Sequence, residues 1–147
     1  TIWGSVKMGE KIHSPNIAPG DADILIAFEK LESKRWKHML KQKDSIAIIN
    51  EYEIAPTLVQ QGDKEYPEDV LDNMKQKSEV ISLDATATGA KMGNPAIANI
   101  LLLGIAARYM DISVETWFKT FEQYLPAKFV ELNKKAFMYG YEQDYLK

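Results

Sequence analysis

The sequence has 147 residues, 46% of them hydrophobic and 27% charged, with 18 basic and 21 acidic side chains for a formal net charge of -3. That is the size and balance of one globular domain without the positive field that nucleic acid or an anionic membrane surface requires, so neither is expected as a partner. With no Cys and two His, the chain lacks the ligands for disulfides, thiolate-held zinc, iron–sulfur clusters or a multi-histidine site, and no metal is assigned.

Residues 1–8 offer one short strand-like segment with Gly4 inside it, and the chain opens Thr1-Ile2-Trp3 without an initiator Met, so it is expected to be N-terminally incomplete. Residues 11–21, with two Pro, read as a loop. Residues 22–28 (ADILIAF) form a continuous apolar run, the pattern of a strand covered on both faces. Residues 29–41 carry Leu31, Trp36, Met39 and Leu40 among Lys and Glu at helical spacing. Residues 45–50 and 79–84 are further apolar strands. Between them, 60–65 reads as a loop and 67–77 as a helix whose Pro67, Glu68 and Asp69 suit a first turn. Residues 95–110, 113–124 and 127–139 then read as helices, with Asn94-Pro95 and Ser113 marking two of the starts.

The apolar stretch 96–107 falls short of the roughly 20 residues of a membrane span, and no basic start with an apolar run and cleavage site is present. A cytoplasmic protein is expected. Alternation of short strands and helices, followed by clustered helices, predicts an α/β fold in a single domain over residues 1–147. Its core is a doubly wound, mostly parallel, Rossmann-like open sheet with a helical C-terminal part.

Ligands of such sheets bind beyond the carboxyl ends of the strands, where this sequence places Glu29, Glu51 and residues 84–95 (DATATGAKMGNP). Asp84, Thr86, Asn94 and Asn99 are the candidate cofactor-binding or interface residues. A structural explanation stays open beside that one: Asp84 caps a turn, Gly89 and Gly93 supply positive φ, and Asn94 caps the next helix. Asn99, set among Ile97, Ala98, Ile100 and Leu101, reads as a buried amide that needs a partner. Gly104, Ala106 and Ala107 let that helix lie close to a neighbour. His13-Ser14 lacks a Gly-x-Ser-x-Gly elbow, and Gly62-Asp63-Lys64 lacks Walker spacing. Phe121, Phe129 and Phe137 fit core packing, whereas Tyr139, Tyr141 and Tyr145 suit a partner surface.

The segments GEKIHSP (9–15), ADILIAFE (22–29), NEYEIAP (50–56), Asp84-Ala85-Thr86 and Gly93-Asn94-Pro95 with Asn99 and LLLG (101–104) resemble, in order, the 2-oxoacid:ferredoxin oxidoreductase gamma-type domain. VELNKKAF (130–137) is similar to the closing helix of the indolepyruvate branch's beta subunit. The family's N-terminal strand and Gly-x-Gly-Gly-Gln-Gly turn have no counterpart here. The resemblance implies a subunit, inactive alone, of a complex that converts aryl 2-oxoacids and coenzyme A to acyl-CoA and carbon dioxide, with electrons passed to ferredoxin. Thiamine diphosphate and iron–sulfur clusters are then expected on a large partner subunit, and coenzyme A at a shared site near the strand ends. The different-class alternatives are a stand-alone nucleotide- or coenzyme-binding module and a purely structural interaction protein.

Overall fold

The computed structural model describes residues 2–54, 60–62 and 65–143. Three parallel strands, β1 (Ile24–Ala27), β2 (Ile46–Asn50) and β3 (Glu79–Leu83), lie side by side in sequence order. Ile24 pairs with Ile46 and Ile46 with Glu79, and the pairing runs on to Ala27–Ile49 and Asn50–Leu83. β2 is buried along its whole length, as the central strand of a sheet covered on both sides must be.

Side-chain alternation along β2 assigns the two faces. Ala47 and Ile49 pack with Ala22, Leu40 and Met74. This is the face of helix α1 (Lys30–Trp36), the 3-10 turn Lys37–Met39 and helix α2 (Val70–Lys75). Ile46 and Ile48 pack on the other face with Ile81, Ala85, Leu101, Leu102 and Ile105. Helix α3 (Ala85–Lys91), a 3-10 turn (Pro95–Ile97) and helix α4 (Ala98–Ala107) build that layer. Helices α5 (Val114–Tyr124) and α6 (Ala127–Glu142) complete the C-terminal part around Phe121 and Phe137. The doubly wound α/β architecture is the one the alternation predicts.

α4 and α6 cross with backbones in contact. A Cβ on Gly104 would lie 2.1 Å from the Phe137 carbonyl oxygen, and one on Gly140 would lie 2.1 Å from that of Leu101. Each helix contributes a glycine where the other's main chain passes, so the small-residue stripe around Gly104 does serve close approach.

Several expected details differ. Residues 2–8 form no strand; they run irregular and exposed, with Trp3 packed on Trp36 at 4.9 Å between ring centroids. The helix expected over 29–41 tightens to 3-10 geometry after Trp36, because the chain must return to place Leu40 in the core. Pro67 and Glu68 lie in the approach to α2, which starts at Val70, and the side chain of Asp69 makes no cap bond. Residues 85–91 are helical, and Gly89 is a buried helical position that faces Asn94 and Ile97; only Gly93 has the positive φ expected of both, at 114°. Phe129 is exposed, not core. Tyr141 stacks on Phe137 at 5.9 Å, Tyr139 is exposed, and Tyr145 lies outside the described residues. Residues 55–56 of the NEYEIAP segment and Asp63-Lys64 also lie outside them.

Candidate functional site at the strand ends

The carboxyl ends of all three strands are tied together by Asn50, the last residue of β2, which is 3% exposed. Its amide nitrogen donates to the Phe28 carbonyl at 3.2 Å and to Thr86 Oγ1 at 2.9 Å. Its Oδ1 accepts from the Ala85 amide at 2.9 Å. One side chain thus joins the end of β1 to the start of α3, and a buried amide is retained because each polar group it meets would otherwise go unpaired. Asp84 follows β3 directly, and its Oδ1 caps α3 by accepting from the Ala87 amide at 2.8 Å. Next to it, Glu51 accepts from Ser82 Oγ at 2.7 Å.

A second polar knot sits at the end of β1. Glu29 is 8% exposed, yet both oxygens are satisfied. Oε2 caps α1 through the Glu32 amide at 2.9 Å, while Oε1 accepts from the Ile54 amide at 3.2 Å and the Tyr66 hydroxyl at 2.5 Å. Burial first, and the bond to Glu29 second, push the Tyr66 phenol well above its usual range. Lys30 pairs with Glu53 at 2.8 Å beside this knot. The edge is therefore rich in carboxylates.

Of the four residues singled out from the sequence, Asp84 and Thr86 lie at this edge, Thr86 bonded to Asn50 and Asp84 capping α3. Asn94 and Asn99 lie beyond the other end of α3, whose seven residues span roughly 10 Å. Asn94 Oδ1 caps the following 3-10 turn by accepting from the Ala96 amide at 2.9 Å. Asn99 is exposed, and its Oδ1 accepts from the adjacent Ile100 amide; the buried face of α4 is Ala98, Leu101, Leu102 and Ile105, one step round the helix. Asn50 and buried Glu29 are the residues that sequence reasoning undervalued. A polar residue closing a wholly apolar strand was the available signal.

No group of three or more His, Asp or Glu able to hold a metal occurs among the described residues. No helix among them is long and apolar enough to cross a membrane. An iron–sulfur cluster does not fit residues 1–147, which contain no Cys to ligate it.

An open parallel sheet with helices on both faces and polar side chains gathered at its strand ends defines a Rossmann-like α/β domain. The family model described as pyruvate ferredoxin/flavodoxin oxidoreductase matches residues 1–143, and the chain belongs to that family. It is similar to indolepyruvate oxidoreductase subunit IorB of Archaeoglobus fulgidus, 29% identical over 143 residues, covering 94% of this chain and 70% of the relative. The subunit of the same name from Thermococcus kodakarensis is 28% identical over 148 residues, covering 95% and 72%. Among solved structures, the keto/oxoacid ferredoxin oxidoreductase gamma subunit of Geobacter sulfurreducens shares the fold with a TM-score of 0.61 at 23% identity, over 84% of this chain and 64% of that one.

Proposed function

We propose that this chain is a subunit, carrying no redox group of its own, of a 2-oxoacid:ferredoxin oxidoreductase acting on indolepyruvate and other aryl 2-oxoacids. The family match over residues 1–143, with similar proteins named as indolepyruvate oxidoreductase subunits, carries this reading. In the reaction the bond to the carboxylate breaks and carbon dioxide leaves, the acyl group forms a thioester with coenzyme A, and the released electron pair passes singly to ferredoxin. A large partner subunit supplies thiamine diphosphate and the clusters; the complex works in the cytoplasm.

The part left to this chain is assembly and shaping of a shared site. In this reading Asp84 and Thr86 at the strand ends, held by Asn50 behind them, line that site, while Asn94 and Asn99 belong to the flank beyond α3. Glu51 and Asp84 make this edge unfavourable for phosphates, so in this reading the cations that hold coenzyme A come from the partner. Tagged chain purified anaerobically from its native cells, followed by mass determination and 2-oxoacid-dependent viologen reduction, tests the reading. A copurifying large subunit with thiamine diphosphate, iron and aryl 2-oxoacid activity is expected. A lone, inactive chain refutes it and leaves a free-standing coenzyme-binding module.

A further inference from the structure

β3 is paired with β2 along one side, and its other side is an edge of the sheet. In a parallel ladder, alternate residues turn their N–H and C=O toward the same neighbour. The Glu79 amide donates to the Ser45 carbonyl at 3.1 Å and the Leu83 carbonyl accepts from the Glu51 amide at 2.9 Å, so Glu79, Ile81 and Leu83 face β2. Val80 and Ser82 therefore point their backbone groups outward, where no partner meets them among the described residues. The strand reads Glu-Val-Ile-Ser-Leu, with no Pro and no charge inside it to discourage pairing.

The two outward residues flank Ile81, and that spacing is self-complementary. A second β3 running antiparallel about a two-fold axis at Ile81 sets Val80 opposite Ser82 of the second copy, twice over, and each pair exchanges both of its N–H···O=C bonds. The axis stands normal to the sheet, so the α2 layers of both copies lie on one side. Charge favours the same arrangement. Lys77 lies in the turn that leads from α2 into β3, at the amino end of the strand. At the carboxyl end, Asp84 follows the strand, and the bond from Ser82 draws the Glu51 carboxylate over β3 on the face where Val80 packs with Met74. Antiparallel pairing sets Ser78 opposite Asp84, which brings Lys77 of each copy to the acids of the other. A parallel copy would set Lys77 beside Lys77 and Glu51 beside Glu51. Glu79 alternates with Val80 onto the opposite sheet face and is exposed there. We propose that two copies of this chain join β3 edge to β3 edge, antiparallel, into one continuous sheet, whichever complex the chain serves.

Pairing of five-residue strands makes a small interface, so the dimer should be reversible and is best followed by sedimentation over a concentration series. As dimer forms, the Val80 and Ser82 amides should exchange at least about 10-fold more slowly than in the diluted monomer. Lys77→Glu and Glu51→Lys, both at side chains outside the core, should each weaken self-association about 10-fold or more, because every contact between the ends then joins like charges. Mixing the two variants should restore the dimer, since each Glu at 77 then meets a Lys at 51 and each Lys at 77 a Glu at 51; an interface elsewhere has no reason to recover. A chain still monomeric at about 1 mM would overturn the proposal. So would a dimer that leaves the Val80 and Ser82 amides fast, a mixture no tighter than its components, or protection of these amides that requires a different protein.

Discussion

Replacing Asn50 with Ala removes three hydrogen bonds at once and leaves the Phe28 carbonyl and the Ala85 amide without their partner. Thr86 is half-buried, so its hydroxyl can turn to water, but Ala85 is fully buried. A buried polar group stripped of its partner costs about 1–3 kcal/mol, so the Ala85 amide together with the cavity left by the Asn50 side chain puts the loss near 3 kcal/mol. In urea titration, with a slope of roughly 2 kcal/mol/M, the midpoint should fall by about 1.5 M with the slope unchanged. Exchange of the first-turn amides of α3 should accelerate more than that of α4, since the injury lies where α3 begins. Asn50→Asp keeps the acceptor for Ala85 but turns a second oxygen onto the Phe28 carbonyl, and should be no better than Ala. A midpoint within the error of the parent protein would refute the view that Asn50 fastens the strand ends.

Gly104→Ala and Gly140→Ala should each destabilise by about 2 kcal/mol or more in the same titration, although Ala gains up to about 1 kcal/mol of helix propensity over Gly; a gain in stability would show that the helices do not touch. Asn99→Ala should stay within about 0.5 kcal/mol, whereas Asp84→Ala should lose about 1 kcal/mol with the α3 cap; equal effects would contradict the placement of both residues. Because the folded state raises the Tyr66 pKa, its contribution is complete below the unfolded value near 10 and is lost as pH rises above it. Tyr66→Phe should therefore flatten the alkaline fall in stability, followed by thermal unfolding between about pH 9 and 11; an unchanged slope would show that Tyr66 titrates like a free phenol.

Elements whose evidence is local were legible in the sequence. The continuous apolar runs of β1 and β2, the cap at Ser113 and the Asn94-Pro95 entry all appear where composition puts them. Residues 84–91 were not, because Thr and Gly density argues for a loop, while an Asp cap and the burial of Ala85 and Gly89 against the core favour a helix. Asn99 misleads for a related reason: with apolar residues on both sides, periodicity gives no clear face. The hub at Asn50 depends on partners 22, 35 and 36 residues away, a proximity that only the folded sheet creates.

The sequential strand order also bears on how the chain leaves the ribosome. β1 meets β2, and β2 meets β3, as soon as each is made, so the three-stranded sheet can close while the rest is still being synthesised. The face formed by Ile46, Ile48 and Ile81 must then wait for Leu101, Leu102 and Ile105, which lie some twenty residues further on. At roughly 5–20 residues per second that delay is about 1–4 s, during which an apolar sheet face stands uncovered and nascent chains are open to capture by chaperones or by one another.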